Sequence, residues 1–81
     1  MFDNCIQLLC DKYHCKCEKF VDCADNEKYD FYVGAAFKHY LLCRIYVDDI
    51  SSDEQFMTTA MHELDKYDIN KIDKAWQSFN T

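Results

Sequence analysis

Apolar residues recur at two different periods along this chain, and the switch between them lays out the fold. Phe2, Cys5, Ile6, Leu9, Cys10 and Tyr13 follow the three-and-four spacing of an amphipathic helix over 2–13. Asp3, Gln7, Asp11 and Lys12 fall elsewhere on that wheel. From about residue 15 the period drops to two, as in a half-buried strand. Cys15, Cys17, Val21 and Cys23 share the expected inner row, with only Lys19 interrupting it, against Lys16, Glu18, Phe20 and Asp22 outside. Ala24, Asp25, Asn26, Glu27 and Lys28 are polar and include turn formers, so 24–28 is expected to connect a hairpin.

Two further strands are predicted. Residues 29–37 place Tyr29, Phe31, Val33, Ala35 and Phe37 inward, with Gly34 facing out. Residues 40–47 alternate Leu41, Cys43, Ile45 and Val47 on the inner row with Tyr40, Leu42, Arg44 and Tyr46 on the outer one. β-Branched and aromatic enrichment favours strand over helix there. Asp48, Asp49 and Ile50 end the sheet, and two overlapping capping boxes follow, Ser51 with Glu54 and Ser52 with Gln55. The helix they open is expected to bury Phe56, Met57, Ala60, Met61, Leu64 and Tyr67. A break near Asp68 leads to a last helix with the stripe Ile69, Ile72, Trp76 and Phe79. The prediction is an α+β fold, αβββαα, with a three-stranded antiparallel meander in a single domain spanning 1–81. No repeat, linker or low-complexity tract interrupts it.

Composition narrows the class. The chain has 81 residues, of which 49% are hydrophobic and 16% aromatic, with one glycine and no proline. That apolar content is enough to build a core, so disorder is excluded. No run approaches the 18 or so apolar residues of a membrane span, and the start Met1-Phe2-Asp3-Asn4 lacks the basic region and apolar stretch of a signal peptide, so a cytoplasmic location is expected. The six cysteines, at 5, 10, 15, 17, 23 and 43, are expected to be mainly reduced core thiols. A disulfide framework would need more loop formers than this chain has. A zinc or redox site on Cys15, Cys17, His14 and His39 is the alternative, although no C-x-x-C knuckle is present. No cofactor is otherwise implied.

Charge changes the picture more. The net charge is −6. Residues 32–47 carry only Lys38 and Arg44, whereas residues 48–65 carry Asp48, Asp49, Asp53, Glu54, Glu63 and Asp65 with no lysine or arginine. Those eighteen residues alone therefore match the charge of the whole chain. Helical geometry puts Glu54 and Asp65 within about 20° of one another on one flank, with Glu63 on the other. Asp22, Asp25, Glu27 and Asp30 form a second, looser group around the first hairpin. Acids in a first helical turn are favoured by the helix dipole alone, but several like charges at one corner repel each other without local compensation. Such a surface can imitate the phosphates of a nucleic acid, with Tyr32, Tyr40, Leu42 and Tyr46 as candidate apolar anchors.

In this architecture and charge layout the chain resembles the small acidic anti-CRISPR inhibitors encoded by phages. The resemblance rests on no shared motif. It implies that acids at a sheet-to-helix corner and along a helix flank mimic DNA and block a CRISPR effector nuclease. Their counterparts by position here are Asp48, Asp49, Asp53, Glu54 and Asp65.

The expected function is therefore that of an inhibitor, not an enzyme, acting in the cytoplasm on a basic nucleic-acid-binding protein. The partner-binding residues are Asp48, Asp49, Asp53, Glu54, Glu63, Asp65 and Tyr46. An immunity protein for a basic nuclease toxin would use the same electrostatics. Direct nucleic-acid binding is disfavoured by charge repulsion, and either a monomer or a homodimer through the Tyr40–Tyr46 row is consistent with the pattern. Catalytic motifs fail on inspection: His62 and Glu63 start like a zincin, but position 66 holds Lys66.

Overall fold

A computed structural model describes residues 2–35 and 37–79. The element order is α1 (Asp3–Tyr13), β1 (Lys16–Val21), β2 (Glu27–Ala35), β3 (Lys38–Tyr46), a short 3-10 turn η1 (Val47–Asp49), α2 (Asp53–Leu64) and α3 (Ile69–Phe79). The strands form one antiparallel sheet in the order β1-β2-β3. This is the αβββαα arrangement that the two periods predict.

The core lies between one face of the sheet and the helices. Phe31, Leu9, Phe56 and Leu64 are fully buried, joined by Phe2, Cys5, Tyr29, Val33, Ile45, Ala60 and Ile69. Phe2 stacks on Phe56 with ring centroids 4.6 Å apart, and Tyr29 meets Phe56 edge-on at 5.6 Å. Helices α1 and α2 run in the same direction. Their N-terminal turns meet where the Cys5 thiol points at the Asp53 carbonyl, and their C-terminal ends meet where the Tyr13 hydroxyl donates to Asp65.

Capping fixes where the C-terminal helices start. Ser52 Oγ accepts from the Gln55 amide at 3.1 Å, and Gln55 Oε1 reaches back to the Ser51 amide at 2.8 Å. The Ser52 and Gln55 pair thus opens α2, and Ser51 is drawn in as the outer partner instead of pairing with Glu54. Asp68 does the same for α3, accepting from the Lys71 amide at 3.2 Å.

A bulge between Phe31 and Tyr32 corrects the expected phase of the third strand. Phe31 pairs with Cys43 and Tyr32 with Leu41, which leaves Leu42 as the extra residue. From Cys43 on, odd residues face the core as expected. Before the bulge the phase inverts, so Leu42 is buried and Tyr40 sits opposite core-facing Val33, while Leu41 is 42% exposed on the other face. The Tyr32–Tyr40–Leu42–Tyr46 row is therefore not one surface: Tyr40 and Leu42 lie on the core side and Tyr32 and Tyr46 on the other.

Other errors fall at the ends of elements, where burial fades. Val21 and Cys23 are exposed because β1 runs past its helical cover into the hairpin. Phe37 is 92% exposed in the β2–β3 turn, and position 36 of the expected strand lies outside the described residues. Tyr67 follows the end of α2 and Phe79 ends α3, so both are exposed. Gly34 has φ +102°, and a Cβ built on it would lie 2.8 Å from Trp76 Nε1 and 2.9 Å from the Lys38 carbonyl. Only glycine fits both that backbone and that gap.

Among the described residues, no helix packs over the second face of the sheet. Its rows run Phe20–Lys28–Tyr46, Glu18–Asp30–Arg44 and Lys16–Tyr32–Leu41. Phe20 and Tyr46 are 37% and 49% exposed, while Asp30 is only 3% exposed beneath Arg44. Among the described residues, no helix is long and apolar enough to cross a membrane.

Candidate functional site

An antiparallel meander brings the end of β1, the start of β2 and the end of β3 to one end of the sheet. The β1–β2 hairpin and η1 project there, and the N-termini of α1 and α2 meet beside them. Asp3, Asp22, Asp25, Glu27, Asp48, Asp49, Asp53 and Glu54 consequently gather at one pole, although the sequence spreads them over 52 positions from Asp3 to Glu54. The two acidic groups seen separately along the chain belong to this one end. Asp30 is the exception.

Asp48, Asp49, Asp53 and Glu54 are all exposed, and among the described residues none of their carboxylates is in an ion pair. The positive end of the α2 dipole favours Asp53 and Glu54 electrostatically without removing their charge. In the hairpin, Asp22 Oδ1 accepts from the amides of Ala24 and Asn26 at 2.9 and 3.0 Å. These hydrogen bonds, led by the one from Asn26, hold its pKa below the ordinary carboxylate value. The loop geometry thus depends on the charged form. Glu27 pairs with Lys19 at 3.2 Å.

Two of the six expected acids are tied internally. Glu63 pairs with Lys66 at 2.5 Å, which lowers the Glu63 pKa, and Asp65 accepts from the Tyr13 hydroxyl at 2.5 Å. Both lie at the far end of α2, about 15 Å along the helix from Glu54, so the expected flank joining Glu54 to Asp65 is not one site. Asp30 is also tied: Arg44 donates to it from Nε at 2.6 Å and from Nη2 at 2.8 Å. Tyr46 keeps its expected place, exposed just before η1. Phe20, two positions away across the sheet in the same row, stands with it at the acidic pole. Sequence reasoning placed Phe20 outward without assigning it to the site; its strand register is the signal that links them.

The thiols do not assemble with the histidines. Cys15 and Cys17 face the core, His14 is an exposed left-handed residue at the end of α1, and His39 lies over the Tyr32 ring on the opposite sheet face. Among the described residues, no three of His, Cys, Asp and Glu converge closely enough to hold a metal ion. All six cysteines are free thiols. Burial raises the pKa of Cys17 and of Cys43 to about 12, which keeps them protonated and inert at neutral pH.

The opposite pole has a different chemistry. An open groove of about 600 Å³ runs between α3, the β2–β3 turn and the end of α1, bordered by Cys15, Lys16, Gly34, Lys38 and Trp76. Lys16 Nζ donates to the Gly34 carbonyl at 2.6 Å, and Trp76 Nε1 to the Lys38 carbonyl at 3.3 Å. Trp76 also stacks on Phe79 and meets Tyr40 edge-on. Comparison with protein-family models, curated proteins and solved structures finds no match to this chain.

Proposed function

We propose that this protein is an acidic inhibitor that occupies the basic groove of a nucleic-acid-binding enzyme in place of its nucleic acid. The observation that carries this reading is the corner formed by Asp48, Asp49, Asp53 and Glu54, four exposed carboxylates outside any ion pair among the described residues. Asp22 and Asp25 extend the same charge across the neighbouring hairpin. A cluster of fixed negative charge steers a basic partner and competes with phosphates for its lysines and arginines. Tyr46 and Phe20, exposed beside the acids, supply the apolar contact such an interface requires. Among basic grooves, the positively charged channel in which CRISPR effectors hold their guide–target duplex is the proposed target class, in line with the architectural resemblance. The site of action is then the cytoplasm of the infected cell.

The test is inhibition of DNA cleavage. CRISPR effector nucleases and a panel of other basic nucleases are assayed with the protein titrated in. Inhibition saturating near one equivalent, and weakening as salt is raised, is expected for at least one CRISPR effector. Asp48→Lys with Glu54→Lys should abolish it while the circular dichroism spectrum stays unchanged. Inhibition confined to a toxin nuclease would assign an immunity role instead, and inhibition unaffected by the double substitution would reject the acidic corner.

A further inference from the structure

The end of α1 carries a feature independent of the acidic pole. The helix stops at His14, whose φ of 56° and ψ of 46° are left-handed, and the His14 amide donates to the Cys10 carbonyl. The Cys15 amide donates to the same oxygen at 3.3 Å. This closure brings the residue two past the helix end against the residue one turn inside it, where helices usually place an apolar contact. Here both positions are cysteine, so the closure sets two thiols beside each other.

We propose that Cys10 and Cys15 form a reversible dithiol–disulfide couple whose oxidant is a small peptide disulfide of the glutathione class. Two of the other thiols lie away from the pair, and two cannot bond to each other. Cys5 sits a turn from the opposite end of α1 against the Asp53 carbonyl, and Cys23 lies in the hairpin at the far pole. Cys17 and Cys43 both pair with Phe31 from opposite sides. Two strand spacings put their Cα atoms roughly 10 Å apart, beyond the roughly 7 Å reach of a disulfide.

Roles within the pair follow from exposure. Cys10 is half-buried and Cys15 is buried. The neighbouring thiol lowers the Cys10 pKa and raises that of Cys15. Cys10 is therefore the attacking sulfur.

The chemistry balances as two exchanges. The Cys10 thiolate attacks one sulfur of the oxidant, whose S–S bond breaks and releases one thiolate that takes a proton from water. Cys15 then gives up its proton and attacks the Cys10 sulfur, and the second small thiolate leaves and is protonated. The protein loses two electrons and two protons, and the oxidant becomes two thiols.

Equilibration in glutathione buffers of graded ratio, quenching with an alkylating agent and peptide mass mapping test the proposal. The folded protein should fall from six alkylated thiols to four, with the one new bond mapped between Cys10 and Cys15. Cys15→Ser should stop at a glutathione adduct on Cys10, and Cys17→Ser should leave the couple intact. A bond mapped to another pair, or six alkylated thiols at the most oxidising ratio in protein that is folded by circular dichroism, would overturn it.

Discussion

The two ends of α2 carry the same kind of side chain in opposite states. At its start Asp53 and Glu54 stand exposed outside any described ion pair, beside Asp48 and Asp49. At its finish Glu63 is held by Lys66 and Asp65 by Tyr13. A charge that is already answered within the molecule has less to offer a partner, because its field is partly cancelled at close range. The helix dipole sharpens the contrast: it favours acids at the first end and disfavours them at the last, where each has a local donor. Function is therefore expected at the first end and structure at the second.

Charge reversal gives the largest effect. Asp48→Lys with Glu54→Lys should weaken partner binding by roughly a thousandfold, since like charges then face each other across the interface. Glu63→Gln with Asp65→Asn should change it by less than about threefold by the same reasoning. Isothermal titration at two salt concentrations distinguishes the pairs, and equal losses in both would erase the distinction between the ends.

Asp30 takes the tied state to its limit, and its effect falls on stability. It is 3% exposed and held by two of the Arg44 nitrogens on the helix-free face of the sheet. Arg44→Ala leaves a buried carboxylate without its donors and should cost about 3 kcal/mol of folding free energy. Urea denaturation measures it. Binding at the acidic corner should survive in whatever fraction stays folded.

At the untied end the backbone is fixed by a cap and not by an ion pair. Ser52→Ala removes the acceptor for the Gln55 amide and should cost about 1 kcal/mol, read as a lower midpoint in the same denaturation. Gln55 still reaches the Ser51 amide at 2.8 Å and limits the loss.

Much of this was legible in the chain. Period switching places all six main elements, and the Ser52 and Gln55 spacing places the start of α2. The third strand was half legible: Cys43 and Ile45 face inward as their spacing says, but one bulged residue turns Leu42 in and Leu41 out. A bulge of this kind leaves no mark in period alone, since Leu41 and Leu42 are interchangeable in hydrophobicity. The candidate site was legible in charge but not in partners. Pairing Glu63 with Lys66 needs only helical spacing, whereas Tyr13 meets Asp65 across 52 positions of sequence. The union of the hairpin acids with the Asp48–Glu54 corner likewise requires the strand order.

The Tyr13–Asp65 bond supplies the smallest effect and the most specific one. Burial first, and then the Asp65 carboxylate, push the Tyr13 phenol up from 10.0 to about 12. A raised pKa means that the folded protein holds this proton more tightly than the unfolded chain does. The stabilisation is thus fully present below pH 10 and is lost as pH climbs from 10 towards 12. Tyr29 and Tyr32 are also raised by burial, so the native protein loses stability in that range through several phenols together. Tyr13→Phe isolates one of them. Its melting temperature should lie slightly below that of the native chain at pH 8, and the gap should shrink as pH rises through 10 and beyond. A gap that stays constant with pH would mean that Asp65 is not anchored by Tyr13. The far end of α2 would then hold an untied carboxylate like those at its start.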